Sequence, residues 1–497
     1  MVSKILCSDL FLSILSGLII GLAYLPYNLG FLAYIGFVPI FTIWLRNNKF
    51  RNGIFGFVFG ALYNLVSNYW IGYNSGTELK IAIFSLLLAV FYLAIYWYIL
   101  GFVIGILKNK INPIIMFPFF IVTLEWFRGM GPLAFSWGNL ALTQTDYITI
   151  IQSIEYGGTY IVSFIIISIN LLFYFLLKDR RIIIFFIIVF IIFGLHIVGK
   201  ARINSLHYEN KSIRVAVIQP NIDPNKKWDY SGRIKTISFM DSLHTIAISK
   251  NPDIILFPET ALPAYLRLNR QIRSKIQLKV DQSKIPILIG TVDRKLNKEQ
   301  DKIYYNSSMY LQPDLDFEMY SKIHLVPFAE YDLIPNIFHP LEKLNLNIDR
   351  GVFISGNDFK IFKHNGIKFS NLICFESSIP YISRQFIKNG ADFITIQAND
   401  GWLGYSAGPY QHFELARLRA IENRVPIVRS SNTGISGLIL PSGKVFNKIP
   451  IGSQAVFVGE INLLNKDSFY SIYGDIFAKI CTAISLIVFI IRCVIKF

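Results

Sequence analysis

Cys374 is the residue whose type and position most directly suggest chemistry. Of the four cysteines in the chain, it alone lies outside the hydrophobic segments, and it closes the apolar run 369–373 just before a turn-like Phe-Glu-Ser-Ser-Ile-Pro. A cysteine reacts as its thiolate, and the N-terminus of a helix beginning in this turn would stabilise that form. The position predicts a nucleophile. The alternative is a small core residue at the end of a strand.

Two further segments place charged side chains beside ordered backbone. Glu259 follows a short apolar run and Pro258, which restricts the backbone just before it. Lys322 and Glu330 share one loop segment. Taken singly, a solvated turn glutamate and a surface lysine are the ordinary explanations. Their occurrence in the order glutamate, lysine, cysteine, each at a strand end or beside proline, favours a shared site.

The elements that would position these residues alternate between strands and helices from about residue 212 to 462. Short β-branched runs predict buried strands at 214–219, 253–257, 285–290, 369–374, 392–397 and 426–429. Amphipathic stretches predict helices at 232–250, 266–280, 378–390 and 409–423. This alternation predicts one α/β sandwich domain, and active sites of α/β folds gather at strand ends.

The first 200 residues have the composition of a membrane domain. The chain is 53% hydrophobic and only 16% charged, with a mean hydropathy of +0.45. About 20 apolar residues in a helix cross a bilayer. We therefore expect seven spans within residues 1–200 and an eighth within 476–497, at the hydrophobic stretches 10–27, 31–45, 53–73, 81–107, 112–127, 148–177, 182–199 and 476–495.

Loop charges predict how these spans are oriented, because cytoplasmic loops collect lysine and arginine. Alternate connections carry the basic residues, whereas the opposite loops carry only Lys80 and Arg128. Both termini are therefore expected in the cytoplasm, and the 212–462 domain on the outer side of the cytoplasmic membrane. A basic domain beside lipid, in a chain of net charge +16, favours anionic lipid as a partner and argues against nucleic acid.

Other function classes have little support in the sequence. No cysteine and histidine spacing suggests zinc and no glycine-rich phosphate loop is present, so no cofactor is expected. A transporter would place ionisable groups near the middle of its spans, where this chain has few. An inert domain on a receptor or transporter remains the non-enzyme alternative.

The order Glu259, Lys322, Cys374 is typical of the nitrilase superfamily, and with the surrounding spans nearly the whole chain resembles the apolipoprotein N-acyltransferase family. The resemblance rests on Phe-Pro-Glu259, the segment 322–331, Ile-Cys374-Phe-Glu376, and the segments 399–404, 408–422 and 429–436. The chain departs from the family pattern at three positions, with Phe375 in place of tyrosine, Ala329 in place of glycine and Leu403 in place of phenylalanine. The resemblance implies a four-layer α/β/β/α sandwich joined to eight membrane helices.

The resemblance also implies roles for individual residues. Cys374 would carry the acyl group as a thioester, Glu259 would act as general base, and Lys322 with the backbone N–H of Phe375 would hold the oxyanion. In the supporting environment, Glu330 would orient Lys322, and Glu376 is a further candidate. Trp228 matches a loop that lines the acyl route of the family, although an exposed tryptophan at the membrane interface is the alternative.

The implied reaction transfers a fatty acyl group from a glycerophospholipid, such as phosphatidylethanolamine, to the α-amino group of the diacylglyceryl-cysteine of a lipoprotein. It would be the last step of lipoprotein maturation in the bacterial inner membrane. A membrane-anchored amidase, with the same three residues and water as the acceptor, is the competing enzyme.

Overall fold

The computed structural model describes residues 2–24, 26–107, 113–331, 353–464 and 467–494. The chain forms two compact units. The first comprises Met1–Gly72, Ala82–Ser205 and Ser468–Phe497, and the second comprises Tyr73–Ile81 and Leu206–Asp467. The second unit contains all three of the candidate catalytic residues.

The first unit is helical. Two of its helices have a proline in the first turn, where a backbone N–H would have no partner within the helix in any case. At the start of a third helix, the Asn48 side chain accepts a hydrogen bond from the N–H of Arg51. The helices are α1 (Val2–Leu22), α2 (Val38–Arg46), α3 (Lys49–Asn68), α4 (Leu79–Leu107), α5 (Phe117–Arg128), α6 (Ile154–Gly157), α7 (Thr159–Asp179) and α8 (Ile182–Asn204).

Four helical segments in the described part of the chain are long and apolar enough to cross a membrane. They are Lys49–Tyr73, Leu79–Leu107, Thr159–Asp179 and Ile182–Asn204. The expected count of eight is not confirmed. The apolar helical segments Ser8–Leu22 and Gly30–Arg46 are shorter than these four. Helix α5 has 12 residues, so at 1.5 Å per residue its length is about 18 Å, less than the roughly 30 Å of a hydrocarbon core.

The second unit contains two six-stranded sheets. The first sheet has the order β12-β1-β2-β3-β4-β5 and the second β11-β10-β9-β8-β7-β6. Their strands are β1 (Tyr208–Gln219), β2 (Ile254–Leu256), β3 (Ile287–Leu296), β4 (Lys302–Leu311), β5 (Glu318–Ser321), β6 (Phe362–His364), β7 (Ile367–Ile373), β8 (Phe393–Ala398), β9 (Ile427–Ser431), β10 (Ser436–Ile439), β11 (Val445–Ile449) and β12 (Ala455–Leu464). The central strands β1, β2 and β3, and likewise β7, β8 and β9, are parallel.

Helices connect these strands and pack on the sheets. They are α9 (Tyr230–Ser249), α10 (Arg270–Ser283), α11 (Pro380–Lys388) and α12 (Ala407–Asn423); two more, α13 (Phe469–Tyr473) and α14 (Ile476–Val494), follow the sheets and belong to the first unit. A buried apolar cluster joins α9 and α10 to the first sheet through Leu243, Val280 and Ile255. The predicted strands and helices of this domain are confirmed, with ends shifted by a few residues. β8 is buried along its whole length, and its sequence is accordingly apolar except for Thr395 and Gln397.

Polar side chains connect the two sheets directly. Asn371 on β7 donates to Ser308 on β4 over 2.8 Å, and Gln397 on β8 donates to the carbonyl of Phe257, just after β2, over 2.7 Å. All are buried. Because such groups are costly to bury unless they are paired, these bonds set the register of one sheet on the other. The strand ends that carry the candidate residues are thereby held together.

Candidate active site

The three candidate catalytic residues all lie at strand ends. Glu259 follows β2 after two residues, Lys322 follows β5 directly, and Cys374 follows β7 directly. The first two come from one sheet and the thiol from the other. Glu259 and Lys322 are buried, at 6% and 1% exposure, whereas Cys374 is partly exposed. The site thus has a buried glutamate and a buried lysine beside a cysteine that is only partly exposed.

Cys374 has a strained backbone. Its φ is +53°, a left-handed conformation that residues other than glycine seldom adopt. It is also the first residue of a five-residue 3₁₀ helix, Cys374–Ser378. The Ser377 hydroxyl lies 2.9 Å from the Cys374 carbonyl oxygen, and the N–H of Ile373 donates to Glu376 over 2.7 Å. The residues around the nucleophile therefore stabilise the turn that projects it.

A hydrogen-bonded network connects Glu259 to Lys322. The Asn306 amide donates to Glu259 Oε1 over 2.7 Å and to Glu330 Oε1 over 2.9 Å. Lys322 Nζ donates to the other oxygen of Glu330 over 2.8 Å, and so does the backbone N–H of Val326. Glu330 therefore orients the ammonium, and Asn306 holds the two carboxylates apart.

The charges of these groups shift one another's pKa values. Burial raises the pKa of Glu259, although Lys322, Asn306 and a hydrogen bond with Cys374 oppose the shift. Burial alone would lower the pKa of Lys322, but Glu330 and Glu259 raise it well above the ordinary value, so the ammonium stays charged. A raised pKa makes Glu259 a better acceptor for the thiol proton than a solvated glutamate would be.

The surroundings of the thiol favour its neutral form. Burial and the neighbouring Glu259 raise the pKa of Cys374 well above the ordinary 9.0, and Lys322 only partly opposes them. The expectation that a helix N-terminus would stabilise the thiolate is therefore wrong. The reason is that a single 3₁₀ turn follows the cysteine and α11 begins only at Pro380, so the dipole is small while desolvation is large. A thiol of this kind needs a base to react.

Glu376 holds the loop that carries Lys322. Its Oε1 accepts from the hydroxyl of Tyr320 over 2.8 Å and from the N–H of Ile323 over 2.6 Å, while its Oε2 accepts from Ile373. It is fully buried, and burial raises its pKa to about 7. The carboxylate joins the loop after β5 to the turn at the nucleophile.

The other two sequence-predicted residues occupy different places. Phe375 is buried beside the nucleophile, and its ring stacks on His324 with centroids 5.8 Å apart. Trp228 is 45% exposed and lines an open pocket with residues of the loop that follows Glu259. The structure therefore brings Glu259, Lys322, Glu330, Cys374, Phe375 and Glu376 together, and places Trp228 at the edge of the Glu259 loop.

Comparison with known proteins assigns both parts of the chain. Residues 16–172 match the apolipoprotein N-acyltransferase N-terminal domain and residues 214–465 match the carbon-nitrogen hydrolase family. An apolipoprotein N-acyltransferase of Geobacter metallireducens is 31% identical over 96% of this chain and 93% of its own length. The chain belongs to the apolipoprotein N-acyltransferase family. It is an acyltransferase of the carbon-nitrogen hydrolase superfamily.

Other family members align over similar lengths. The apolipoprotein N-acyltransferase of Chlorobaculum tepidum is 26% identical, covering 99% of this chain and 98% of its own. That of Aquifex aeolicus is 29% identical, covering 90% and 97%. A solved carbon-nitrogen hydrolase of Helicobacter pylori G27 is 16% identical over 50% of this chain and 89% of its own, with a TM-score of 0.39.

Beyond the residues expected from the family pattern, a second buried network lies behind the nucleophile. His412 Nδ1 donates to Asp400 over 2.6 Å, and Arg429 Nη2 donates to the same carboxylate over 2.8 Å. The Ser377 hydroxyl lies 2.9 Å from His412 Nε2 and joins the imidazole to the Cys374 carbonyl. Asp400, His412 and Arg429 all fall in the motif segments 399–404, 408–422 and 429–436, but nothing in their spacing indicated that they meet.

Asn306 and Lys227 are also absent from the sequence-based prediction. Asn306 lies within a strand, where an asparagine facing the site cannot be told from one facing solvent. Lys227 is 3% exposed and donates to the Thr260 carbonyl over 2.6 Å; burial lowers its pKa to about 8, although Glu259 opposes the shift. The lysine ties the Trp228 loop to the residue after the base.

One cluster in the described part of the chain has the donor types of a metal site. The ligand atoms of Cys374, Asp400 and His412 lie within 4.8 Å of one another. Asp400 already binds Arg429, however, and the Lys322 ammonium acts on the thiol. Two cations beside the cluster disfavour a metal ion there. The arrangement fits nucleophilic acyl transfer by the neutral thiol, its base and a fixed cation.

Proposed function

We propose that this acyltransferase moves a fatty acyl group from a membrane glycerophospholipid, through a thioester on Cys374, to the α-amino group of the diacylglyceryl-cysteine of lipoproteins. The observation that carries the proposal is the convergence of Cys374, Glu259 and Lys322 at strand ends of the two sheets. Hydrogen bonds of 2.7 to 2.9 Å through Asn306 and Glu330 link the buried Glu259 to the Lys322 ammonium, and both charged groups act on the thiol. This combination supplies a nucleophile, its base and a charge for the oxyanion.

In the first half-reaction, Cys374 Sγ attacks the ester carbonyl carbon of the phospholipid while Glu259 takes the thiol proton. The carbonyl oxygen becomes an oxyanion, which Lys322 and the backbone N–H of Phe375 stabilise. As the intermediate collapses, the C–O bond breaks and Glu259 returns the proton to the departing alkoxide. The products are a lysophospholipid and the acyl thioester.

In the second half-reaction, the amine of the lipoprotein attacks the thioester carbonyl. Glu259 removes a proton from the attacking nitrogen, and the same oxyanion site stabilises the second intermediate. The C–S bond then breaks, the amide forms, and the proton passes to the departing sulfur. Atoms and charge balance without a cofactor, since one carboxylate transfers every proton.

Both substrates of this scheme are lipids, which accounts for a catalytic domain joined to apolar helices. Together with the loop charges, this supports an inner-membrane enzyme whose catalytic domain faces the periplasm and whose termini are cytoplasmic. A membrane-impermeant amine label applied to intact spheroplasts should modify lysines of the 206–467 unit. Labelling only after the membrane is broken would contradict this orientation.

The decisive experiment detects the intermediate. Purified protein incubated with phospholipid should gain one acyl group on Cys374, seen by mass spectrometry, and lose it when a diacylglyceryl peptide with a free N-terminus is added. Cys374→Ala should show neither step. Cys481→Ala is the matched control, because Cys481 is a free cysteine buried in α14 and outside the site.

The competing amidase activity predicts a different outcome from the same samples. If water is the acceptor, fatty acid is released at the same rate with or without the peptide. Release without N-acylated peptide, or normal N-acylation by Cys374→Ala, would overturn the proposal.

A further inference from the structure

An open pocket of about 620 Å³ lies on the second unit, beside the loop that follows Glu259. Its walls come from the loop before α9 and the first turn of that helix, from the loop before α10 and the first residue of that helix, and from β3. Five of the side chains that line it are Trp228, Arg233, Tyr265, Arg270 and Arg294. Three of these five are arginines, so the pocket is strongly basic.

The basic charge of the pocket is not neutralised. Among the described residues that line it there is no carboxylate. Arg233 and Arg270 are exposed, and in the described part of the chain their guanidinium groups make no ion pair or hydrogen bond; that of Arg294 stacks over the Tyr265 ring, 5.5 Å from its centroid.

Neighbouring arginines outside the pocket behave differently. Arg267 binds Asp293 over 2.8 Å, and Arg273 donates to the Leu266 carbonyl over 2.8 Å. These two side chains stabilise the loop before α10. Arg233 and Arg270 have no comparable contact in the described part of the chain, and Arg294 stacks on the Tyr265 ring without an ion pair. An anion bound among the three guanidinium groups would therefore not compete with a carboxylate of the protein.

The pocket also has apolar walls. Trp228 is 45% exposed and Leu268, at its rim, is 42% exposed. The rings of Trp228 and Tyr265 each combine an apolar body with a polar N–H or O–H group, so they can contact both the apolar and the polar part of a lipid. An anionic head with an apolar body fits such a surface better than a free inorganic ion does.

Backbone connections place the pocket close to the base. Lys227, next to Trp228, is bonded to the carbonyl of Thr260, the residue after Glu259. On β3, Val292 pairs with Asn306, whose side chain binds Glu259. Arg294 is two residues further along that strand, about 7 Å at the usual rise. The pocket thus adjoins the catalytic centre without including it.

We propose that this pocket binds the phosphodiester group of the glycerophospholipid donor, so that the acyl ester extends toward Cys374. The inference rests on the proposed function. Arginine forks pair with phosphate oxygens in two parallel hydrogen bonds, and the phosphate is separated from the acyl ester only by the glycerol. The diacylglyceryl-cysteine of the acceptor has no phosphate, so the three arginines favour the donor over the acceptor in this pocket.

The test compares two donors that share the ester but differ in the phosphate. Single-turnover thioester formation on Cys374 is measured in mixed micelles with phosphatidylethanolamine or with diacylglycerol of the same chains. The ratio of the two rates should fall roughly tenfold in Arg233→Gln/Arg270→Gln/Arg294→Gln, because each partly exposed charge pair contributes about two- to threefold. Lys275→Gln, an exposed cation on α10 outside the pocket, is the matched control and should leave the ratio unchanged.

Two outcomes overturn the inference alone. In both, the triple variant melts like the wild type. It is either slowed equally with both donors or slowed with neither, and each result would mean that the arginines do not bind the phosphate of the donor. If wild-type protein forms no thioester with any donor, the proposed function itself has failed.

Competition identifies the source of the phosphate. Glycerophosphoethanolamine, which has the head group but no acyl chains, should inhibit the reaction with phosphatidylethanolamine in the wild type and not in the triple variant. Equal inhibition by inorganic phosphate at the same concentration would mean that the pocket holds any phosphate anion, which overturns the assignment to the lipid.

Discussion

Glu259 and Lys322 should be separable by the pH dependence of their variants, because one moves a proton and the other supplies a fixed charge. Loss of a general base costs about 10²- to 10⁴-fold in rate, so Glu259→Gln should form the thioester at least 100-fold more slowly at pH 7. The amide keeps the shape of the carboxylate, and its neutral charge removes one of the causes that raise the pKa of Cys374.

The thiol of this variant must ionise without help. Burial still raises the pKa of Cys374 above 9.0, so the rate should climb about tenfold per pH unit through pH 9 without a plateau. Lys322→Met should behave differently. Removing the ammonium lets burial raise the pKa of Glu259 further, so the rate rises only until that carboxyl ionises and then levels off about 10²- to 10³-fold below the wild type.

The assay is single-turnover acylation of Cys374 followed by mass spectrometry from pH 6 to 10, with thermal melting at each pH as a control for folding. A flat profile for Glu259→Gln would refute its role as base. Recovery of the wild-type rate by Lys322→Met at high pH would refute the oxyanion role.

Three further changes test the surroundings of the site. His412→Asn should slow alkylation of Cys374 by iodoacetamide, because the imidazole supports the turn of the nucleophile. His244→Asn, at a histidine that is buried to a similar degree (2% exposed against 1%), should leave that rate unchanged. Tyr320→Phe removes a 2.8 Å bond to a buried carboxylate and should lower the free energy of unfolding by about 1 kcal/mol, whereas Tyr310→Phe loses only a 3.4 Å contact and should matter less in thermal melts. Burial alone would raise the pKa of Asp400, but His412 and Arg429 lower it from 3.8 to about 2. The ionised carboxylate therefore contributes fully to the stability of the fold above about pH 4, and this contribution is lost as the pH falls toward 2. Acid unfolding of Asp400→Asn, followed by circular dichroism, should lack this pH-dependent loss of stability.

Much of the catalytic domain was predictable because local patterns determine it. Buried parallel strands are rich in apolar and β-branched residues, so the strand ends that carry Glu259 and Cys374 could be identified from the chain alone. The environment of the thiol was not predictable. Whether Cys374 is stabilised as a thiolate depends on its burial and on the carboxylate of Glu259, which follows a strand of the other sheet. Neither can be predicted from the residues next to Cys374 in the sequence.

The membrane unit shows where a local pattern misleads. Hydropathy marks apolar segments correctly, but a helix must also be long enough. The α-helix of the stretch at 112–127 is only Phe117–Arg128, which follows a four-residue 3₁₀ helix at Pro113–Met116. The expected segments at 53–73, 81–107 and 182–199 correspond to helices that pass both tests, and the stretch at 148–177 does so only from Thr159. Where a helix begins and ends depends on its capping residues and on its packing, and hydropathy averaged over a sequence window contains neither.

The sequence by itself determined the class of the protein, its α/β domain, the residues at its strand ends and the family to which it belongs, because periodicity, hydropathy and motif order are properties of short segments. Only the tertiary structure decided how those residues act on one another. Asn306 between two carboxylates, His412 behind the nucleophile and three arginines around one pocket come from distant parts of the chain. Electrostatic interactions depend on distance in space and on exclusion of water, and packing of the two sheets sets both.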